Sequence, residues 1–168
     1  MNDNMHAQLI AAMTEYDGGD ARRVQHFMKV YGFARTIAAL EKMDPAEKFV
    51  LETAAIVHDI GIKVSEEKYG NCAGPHQEKE GPPIAFEMLA SLGFDNAVTE
   101  RVCWLVGHHH TYDPIEGLDH QILVEADFLV NLFEGKKDMD TIRATYKNIF
   151  KTEAGKHLCR AMFALEEV

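Results

Sequence analysis

The stretch FVLETAAIVHDIG, residues 49–61, indicates the fold more clearly than any other part of the chain. Its apolar residues follow helical spacing, and Asp44-Pro45 precedes it. Aspartate suits the N-cap of a helix, proline suits its first position, and glycine commonly follows its end. The stretch is therefore predicted to be a buried helix whose last turn, before the glycine, carries His58 and Asp59.

Helical spacing extends through most of the remaining sequence. The predicted helices are a short N-terminal one and those over about residues 20–43, 45–60, 84–92, 98–109, 120–135, 141–150 and 153–165. Asp20 is the predicted N-cap of the first of these ranges. The segment HQILVEADFLVNLFEG, residues 120–135, is apolar on nearly every face, which is typical of a core helix. No useful stretch alternates apolar and polar residues as a strand would. The predicted fold class is all-α, a compact bundle of about six to eight helices.

The segment between Gly61 and Ile84 breaks this pattern. It contains three glycines and three prolines, residues that favour turns over regular structure. We predict a long loop that forms part of the mouth of a pocket and sets substrate choice, because loops on rigid scaffolds commonly carry specificity.

Length and charge limit the classes of function. The 168 residues, 46% of them hydrophobic, predict a single domain over residues 1–168. Seventeen Lys and Arg against 27 Asp and Glu give a net charge of −10, which repels nucleic acid and anionic membranes. We expect neither as a partner. An anionic substrate would need a local positive charge, and a bound divalent metal is its simplest source.

Cysteine content and hydropathy point to a compartment. The three cysteines include no C-x-x-C pair, so neither a disulfide framework nor a thiolate zinc site is indicated. No apolar stretch approaches the roughly 18 residues that a membrane span requires. A cytoplasmic protein is therefore expected.

The apolar helix around Asp127 and the amphipathic C-terminal segment are compatible with a homodimer.

Four polar groups occupy positions that helical spacing turns inward. His26 shares a stripe with apolar residues of its helix, His109 continues another, and Asp127 lies within an apolar run. The fourth group is the pair His58-Asp59 at the end of the apolar helix. A lone inward histidine is more often a hydrogen-bonded core residue, but a buried carboxylate without a cation is costly. One or two ions of Mn, Fe, Co, Ni or Zn, held by these residues and His58-Asp59, would explain all four features. Such a mixed site leaves coordination positions for water and substrate.

His26, His58-Asp59 and Asp127, in that order, resemble the H…HD…D signature of the HD-domain superfamily of metal-dependent phosphohydrolases. The resemblance spans about residues 20–135. It implies an all-helical fold and a metal held by His26, His58, Asp59 and Asp127. In dinuclear relatives Asp59 would bridge two ions.

The resemblance also implies ligands for a second ion at His108 and His109, with His76 as a third histidine from the long loop. His76 departs from the family's spacing, because Gly81 follows it by five residues instead of four and Gln77 occupies the expected position. In the branch that hydrolyses cyclic dinucleotides, lysine directly follows HDIG and a GYP tripeptide comes later. Ile62 stands there in this chain and GYP is absent, so that substrate is disfavoured.

The function implied by the resemblance is hydrolysis of a phosphate ester or anhydride in a small phosphorylated metabolite or nucleotide. Asp59 would orient or deprotonate the attacking water. Arg23, one helical turn before His26, and Lys63, four residues beyond Asp59, are candidates for phosphate contacts. Two alternatives stay open: a di-iron HD-type oxygenase that cleaves a C–C or C–P bond, and a nucleotide-binding module without turnover.

The remaining histidines are expected at the surface. His6, His120 and His157 have no convergent partners along the sequence, and His110 follows the inward His109 at a helix end. None of these four is assigned to the site.

Overall fold

The computed structural model describes residues 2–166; Met1, Glu167 and Val168, at the ends of the predicted 1–168 domain, lie outside the described residues. Within this part of the chain there are nine helices and no strand, which confirms the all-α prediction. None of the described helices is long and apolar enough to cross a membrane. The helices are α1 (Asn2–Tyr16), α2 (Ala21–Leu40), α3 (Pro45–Val57), α4 (Ile62–Tyr69), α5 (Gly74–Ser91), α6 (Asn96–Val106), α7 (Gly117–Glu134), α8 (Met139–Ile149) and α9 (Glu153–Phe163).

The centre of the bundle is formed by α2, α3 and α7, which all pack against one another. Every residue of α3 from Leu51 to Val57 is buried, and α7 buries residues on most of its faces. This explains why both sequences are apolar nearly all round instead of along one stripe. Any polar side chain that these helices direct inward is therefore removed from water.

The predicted aspartate caps fix the starts of two central helices. The Asp20 carboxylate accepts a hydrogen bond from the backbone N–H of Arg23 at 3.0 Å, and that of Asp44 accepts from Ala46 at 2.9 Å. Pro45 begins α3, as predicted. The end of α3 differs: the helix stops at Val57, and residues 58–61 form a turn. His58 and Asp59 consequently project from a turn at the end of a buried helix.

Gly61 was predicted to end the helix, but in the structure it allows a close approach between two backbone segments. Its φ of −76° is open to any residue, but a Cβ here would lie 2.7 Å from the carbonyl oxygen of Gln77 and 2.8 Å from the nitrogen of Gly81. Only a residue without a side chain lets the turn approach the backbone of α5 this closely. The contact brings Gln77 beside the turn that carries His58 and Asp59.

The predicted long loop between Gly61 and Ile84 is wrong, because most of this segment is helical. It contains α4 and the first half of α5, and α5 continues through Pro82 and Pro83. Proline in a helix removes a backbone hydrogen bond. The helix persists because α5 packs along α6 and α4, so tertiary contacts outweigh local propensity.

Two histidines expected at the surface are buried in the core. His6 lies with Nε2 3.0 Å from Oγ1 of Thr53, and Nε2 of His120 donates to the carbonyl oxygen of His108 at 2.9 Å. Each ring has a partner outside its own helix, which hydropathy along the sequence cannot reveal. His157 is exposed, as expected.

Candidate metal centre

Two groups of potential metal ligands meet where α2, α3, α6 and α7 converge. Donor atoms of His26, His58 and Asp59 lie within 4.8 Å of one another, and so do those of Asp59, His109 and His110. Helix α2 supplies His26, and the turns after α3 and α6 supply the others. Asp59 is the residue that the two groups share.

The two carboxylate oxygens of Asp59 face different groups. Oδ2 lies 3.3 Å from Nε2 of His26 and 3.3 Å from Nε2 of His58, whereas Oδ1 lies 3.4 Å from Nε2 of His109. A carboxylate placed in this way can contribute one oxygen to each of two cations.

Asp127 joins the first group from α7. Its Oδ1 lies 3.1 Å from Nε2 of His26 and 3.5 Å from Nε2 of His58. The side-chain amide of Asn131, one turn along α7, donates to the same oxygen at 2.8 Å. The four residues predicted to hold one metal therefore lie together in the structure, with two carboxylates facing two imidazoles.

The tautomers of His58 and His109 are fixed by backbone carbonyl groups. Nδ1 of His58 donates to the carbonyl oxygen of Ala55 at 2.9 Å, and Nδ1 of His109 donates to that of Val106 at 2.7 Å. In the neutral rings Nε2 then carries a lone pair. Both Nε2 atoms are buried without a hydrogen-bond partner and face carboxylate oxygens.

A lone pair that faces a carboxylate is repelled unless a cation lies between them. A proton or a metal ion must therefore supply positive charge to this cluster. Imidazole and carboxylate ligands together suit a divalent transition metal, so the residues present fit the predicted group.

The titration behaviour of the ligands shows the same demand for positive charge. Burial alone would lower the pKa of His58, but Asp59 and Asp127 outweigh it and raise that pKa well above its ordinary value. Burial likewise opposes ionisation of Asp59, yet His58 and His109 hold the pKa of this carboxyl well below its usual range. Protons on His26 and His58 thus take the place of a cation when none is bound.

Glu134, which the sequence did not indicate as a site residue, orients His26 from the side of the ring opposite the metal centre. Its Oε2 lies 3.1 Å from Nδ1 of His26, and its Oε1 lies 2.7 Å from Nζ of Lys29. Carboxylates that bind the far nitrogen of a metal-binding histidine fix the ring and increase its basicity. Its position in the sequence could have indicated this role, because Glu134 follows Asp127 by seven residues and so lies two turns along the same face of α7.

His110, expected at the surface, takes the place in the second group that the resemblance gave to His108. Its Nε2 is buried without a partner, and burial together with His109 lowers the pKa of His110 to about 4, so the ring is neutral. The ring of His108 instead stacks on Trp104 with centroids 4.0 Å apart, and its Nδ1 donates to the Trp104 carbonyl oxygen. Helical spacing is right in turning His109 inward, but α6 ends at Val106, and the turn over residues 107–110 brings His110 beside His109 instead of leaving it at the surface.

His76 also lies outside both groups. Its ring stacks on Tyr69, and its Nδ1 lies 2.9 Å from Oδ1 of Asn71. Gln77 faces the site instead: its Nε2 donates to the carbonyl oxygen of Cys72, while its buried Oε1 has no hydrogen-bond partner. The amide thus occupies the place where the family's spacing expects a histidine.

A cavity of about 480 Å³ opens onto the cluster and is lined by His26, Asp59, His110 and Asp127. Arg22 and Arg23 line it too, with Arg23 3.4 Å from Asp20 and 3.3 Å from Glu66. These arginines are the positive side chains of the cavity. Lys63 does not line it among the described residues.

Lys63 is engaged elsewhere. Its ammonium donates to the carbonyl oxygen of Tyr16 at 3.3 Å and lies 5.2 Å from the centre of that ring. A phosphate contact by Lys63 would require this side chain to move.

Comparison with known proteins gives the family. The family model described as HD domain matches residues 23–149, most of the chain, and the protein therefore belongs to the HD-domain family of metal-dependent hydrolases. The crystal structure of a predicted HD superfamily hydrolase from an uncultured Thermotogales bacterium superposes with a TM-score of 0.68. The two chains are 23% identical over 94% of this chain and 84% of the other, which supports the shared fold. A comparison with curated proteins gives no match.

Proposed function

We propose that the protein is a metal-dependent phosphohydrolase that acts on a small phosphorylated metabolite or nucleotide. One observation carries this proposal: buried, partnerless Nε2 atoms of His58 and His109 face the carboxylate of Asp59, beside an open cavity. A closed structural metal site would not need such a cavity. An open side is what a catalytic site requires for water and substrate.

The ligand set divides between two ions. His26, His58, Asp59 and Asp127 would hold one, and Asp59 with His109 and His110 would hold the other. A bound divalent ion supplies Lewis-acid polarisation of a phosphoryl oxygen and lowers the pKa of coordinated water. The mixed nitrogen and oxygen donors suit Mn, Fe, Co, Ni or Zn.

The protein's own groups would position the reactants. Asp59, 12% exposed where it faces the cavity, would accept a hydrogen bond from the attacking water and orient it. Arg23 and Arg22 would bind the phosphate from the α2 side. Arg23 would then give up its ion pair with Glu66 and pair with the substrate phosphate instead. We assign this contact to Arg23 in preference to Lys63, because Tyr16 engages the ammonium of Lys63.

The test begins with elemental analysis of untagged protein, followed by phosphate release from p-nitrophenyl phosphate and a panel of nucleotides. We expect about one or two metal equivalents, and loss of both metal and activity in Asp59→Ala. His108→Ala is the matched control, because this histidine lies one residue from His109 but outside both ligand groups. Metal-free protein after incubation with these ions, or an Asp59→Ala variant with full activity, would refute the proposal.

A di-iron oxygenase that cleaves a C–C or C–P bond is the second candidate. It is favoured by the two oxygens of Asp59, which face separate groups as a bridge between two irons would. Oxygen uptake by iron-loaded protein in the presence of a phosphonate or polyol would support this reaction over hydrolysis. Tight nucleotide binding with neither phosphate release nor oxygen uptake would instead indicate a binding module.

A further inference from the structure

Positive charge is concentrated near the C-terminal end of this acidic protein. Residues 136–160 contain seven Lys and Arg against three Asp and Glu, whereas the rest of the chain contains ten against 24. The basic segment includes α8 and the larger part of α9. This local charge favours an anionic ligand even though the whole molecule repels one.

The basic segment encloses a cavity of about 910 Å³ between α8, α9 and the residues after α9, roughly twice the volume of the cavity at the metal centre. Its basic lining residues are Arg143, Lys147, Lys151, Lys156 and Arg160. Glu153 and Glu166 are its acidic lining residues, so the lining carries a positive balance. No described residue lines both cavities.

An aromatic wall accompanies these charges. The half-buried ring of Tyr146 faces the cavity and is backed by the buried ring of Phe150, with centroids 6.3 Å apart and planes at 23°. Arg160 donates to the hydroxyl oxygen of Tyr146 at 2.8 Å, and its guanidinium lies 6.0 Å from the centre of that ring. A flat ligand ring can contact this wall while cations at the rim reach its charged groups.

Several of the charges are available to a ligand. Within residues 2–166 neither Lys147 nor Lys151 forms an ion pair, and both are exposed. Among the described residues, Arg143 pairs only with exposed Asp140, one turn away, at 3.3 Å. Such a surface pair contributes little and yields readily to a multiply charged anion.

The cavity is held in shape by a buried carboxylate of α7. Glu125 accepts hydrogen bonds from the backbone N–H groups of Lys151 at 2.6 Å and Thr152 at 2.9 Å, and from the Thr152 hydroxyl. Gly155 allows this close packing, because a Cβ there would collide with Glu125. The turn between α8 and α9 is therefore fixed before any ligand binds, which lowers the entropic cost of binding.

From these features we propose that the α8–α9 cavity binds a small aromatic polyanion of the nucleoside diphosphate class. Lys147, Lys151 and Arg143 contact the phosphates, and the ring system lies against Tyr146. The site is separate from the metal centre, and α9 lies beyond the residues 23–149 that match the HD-domain model. Binding here is thus a property of this chain's C-terminal helices.

The test is calorimetric titration of the metal-loaded, full-length protein with α,β-methylene-ADP, which resists hydrolysis. Lys147→Gln combined with Lys151→Gln should weaken binding about tenfold, and added salt should weaken it further. Lys136→Gln combined with Lys137→Gln is the matched control: it removes the same charge from the same segment but outside the cavity lining. The control should change the affinity less than about twofold.

Two simpler probes separate the contributions to binding. Inorganic pyrophosphate should bind more weakly than the nucleotide analogue, and adenosine should bind weakest. The cavity variant, Lys147→Gln combined with Lys151→Gln, should no longer bind pyrophosphate. Equal effects of the two lysine pairs would overturn the proposal, as would binding lost only in Asp59→Ala. A titration without heat, together with a change in oligomeric state in the cavity variant, would also overturn it and identify the cavity as an interface. Thermal melting of each variant verifies that the fold is retained.

Discussion

Nδ1 of His26 lies 3.1 Å from Oε2 of Glu134, on the side of the ring opposite the metal centre. The ring therefore contacts carboxylates at both nitrogens, with Asp127 at Nε2. Lys29 holds the other oxygen of Glu134, so the carboxylate is fixed at both ends. The basicity and the orientation of His26 both depend on this arrangement.

Glu134→Gln should weaken metal binding by about 10- to 100-fold, because the amide is a poorer acceptor for the imidazole N–H. Competition titration with a chelating dye measures the affinity. Glu87→Gln is the control, since Glu87 is an exposed helical glutamate away from the site. Equal affinity in both variants would show that Glu134 has no influence on the centre.

Metal binding should release protons at neutral pH. The raised pKa values of His26 and His58 mean that these rings carry protons in the metal-free protein, and a metal must displace them. The apparent affinity should therefore increase with pH until the raised pKa values of His26 and His58 are passed. Calorimetry in buffers of different ionisation enthalpy counts the protons released. A binding enthalpy independent of buffer would contradict the prediction.

Asp17→Asn should stabilise the metal-free protein at alkaline pH. Burial raises the pKa of Asp17 to about 6, although Arg23 counteracts part of the effect. The ionised form thus costs stability, and this cost develops as the pH rises from about 4 through about 6. We expect a gain of about 1 kcal/mol at pH 8, less than the full shift implies because the buried amide must also be removed from water.

No gain is expected for Asp17→Asn below about pH 4, where the wild-type carboxyl is protonated in both the folded and unfolded states. Thermal melts across this pH range distinguish the charge effect from a simple polarity effect. A gain of the same size at every pH would attribute the stabilisation to something other than ionisation.

Gly61→Ala should destabilise the protein by about 2 to 4 kcal/mol, since the added Cβ meets the backbone of Gln77 and Gly81 at 2.7 and 2.8 Å. Urea denaturation measures the free energy of unfolding. Gly32→Ala in α2 is the opposite case: nothing lies within 4 Å of its Cβ, and a gain of about 0.5 to 1 kcal/mol is expected. Similar losses in both variants would mean that the contact at Gly61 is not the cause.

The sequence identified the elements whose signals are local. The caps at Asp20 and Asp44 and the apolar runs of α3 and α7 predicted the central helices, and inward spacing marked His26 and Asp127. These predictions succeeded because the determining residues lie within a few turns of one another. The all-α architecture could be predicted in the same way.

The features that the sequence did not reveal depend on contacts between distant segments. Helix α5 continues through Pro82 and Pro83 because α4 and α6 pack against it. His110 takes the place given to His108 because α6 ends before them, and Glu134 acts through a residue 108 positions away. In each case tertiary contacts determine the outcome, and neither propensity nor helical periodicity contains that information.

Glu125 and Asp127 lie on opposite sides of α7, since residues two apart on a helix diverge by about 200°. One secures the start of α9 through backbone N–H groups, and the other faces His26. A chain shortened to residues 23–149 would leave the Glu125 carboxylate in the core without those donors, at a cost of several kcal/mol. A fragment that extends at least through Thr152, past the end of the family match, should therefore be more stable than residues 23–149 alone.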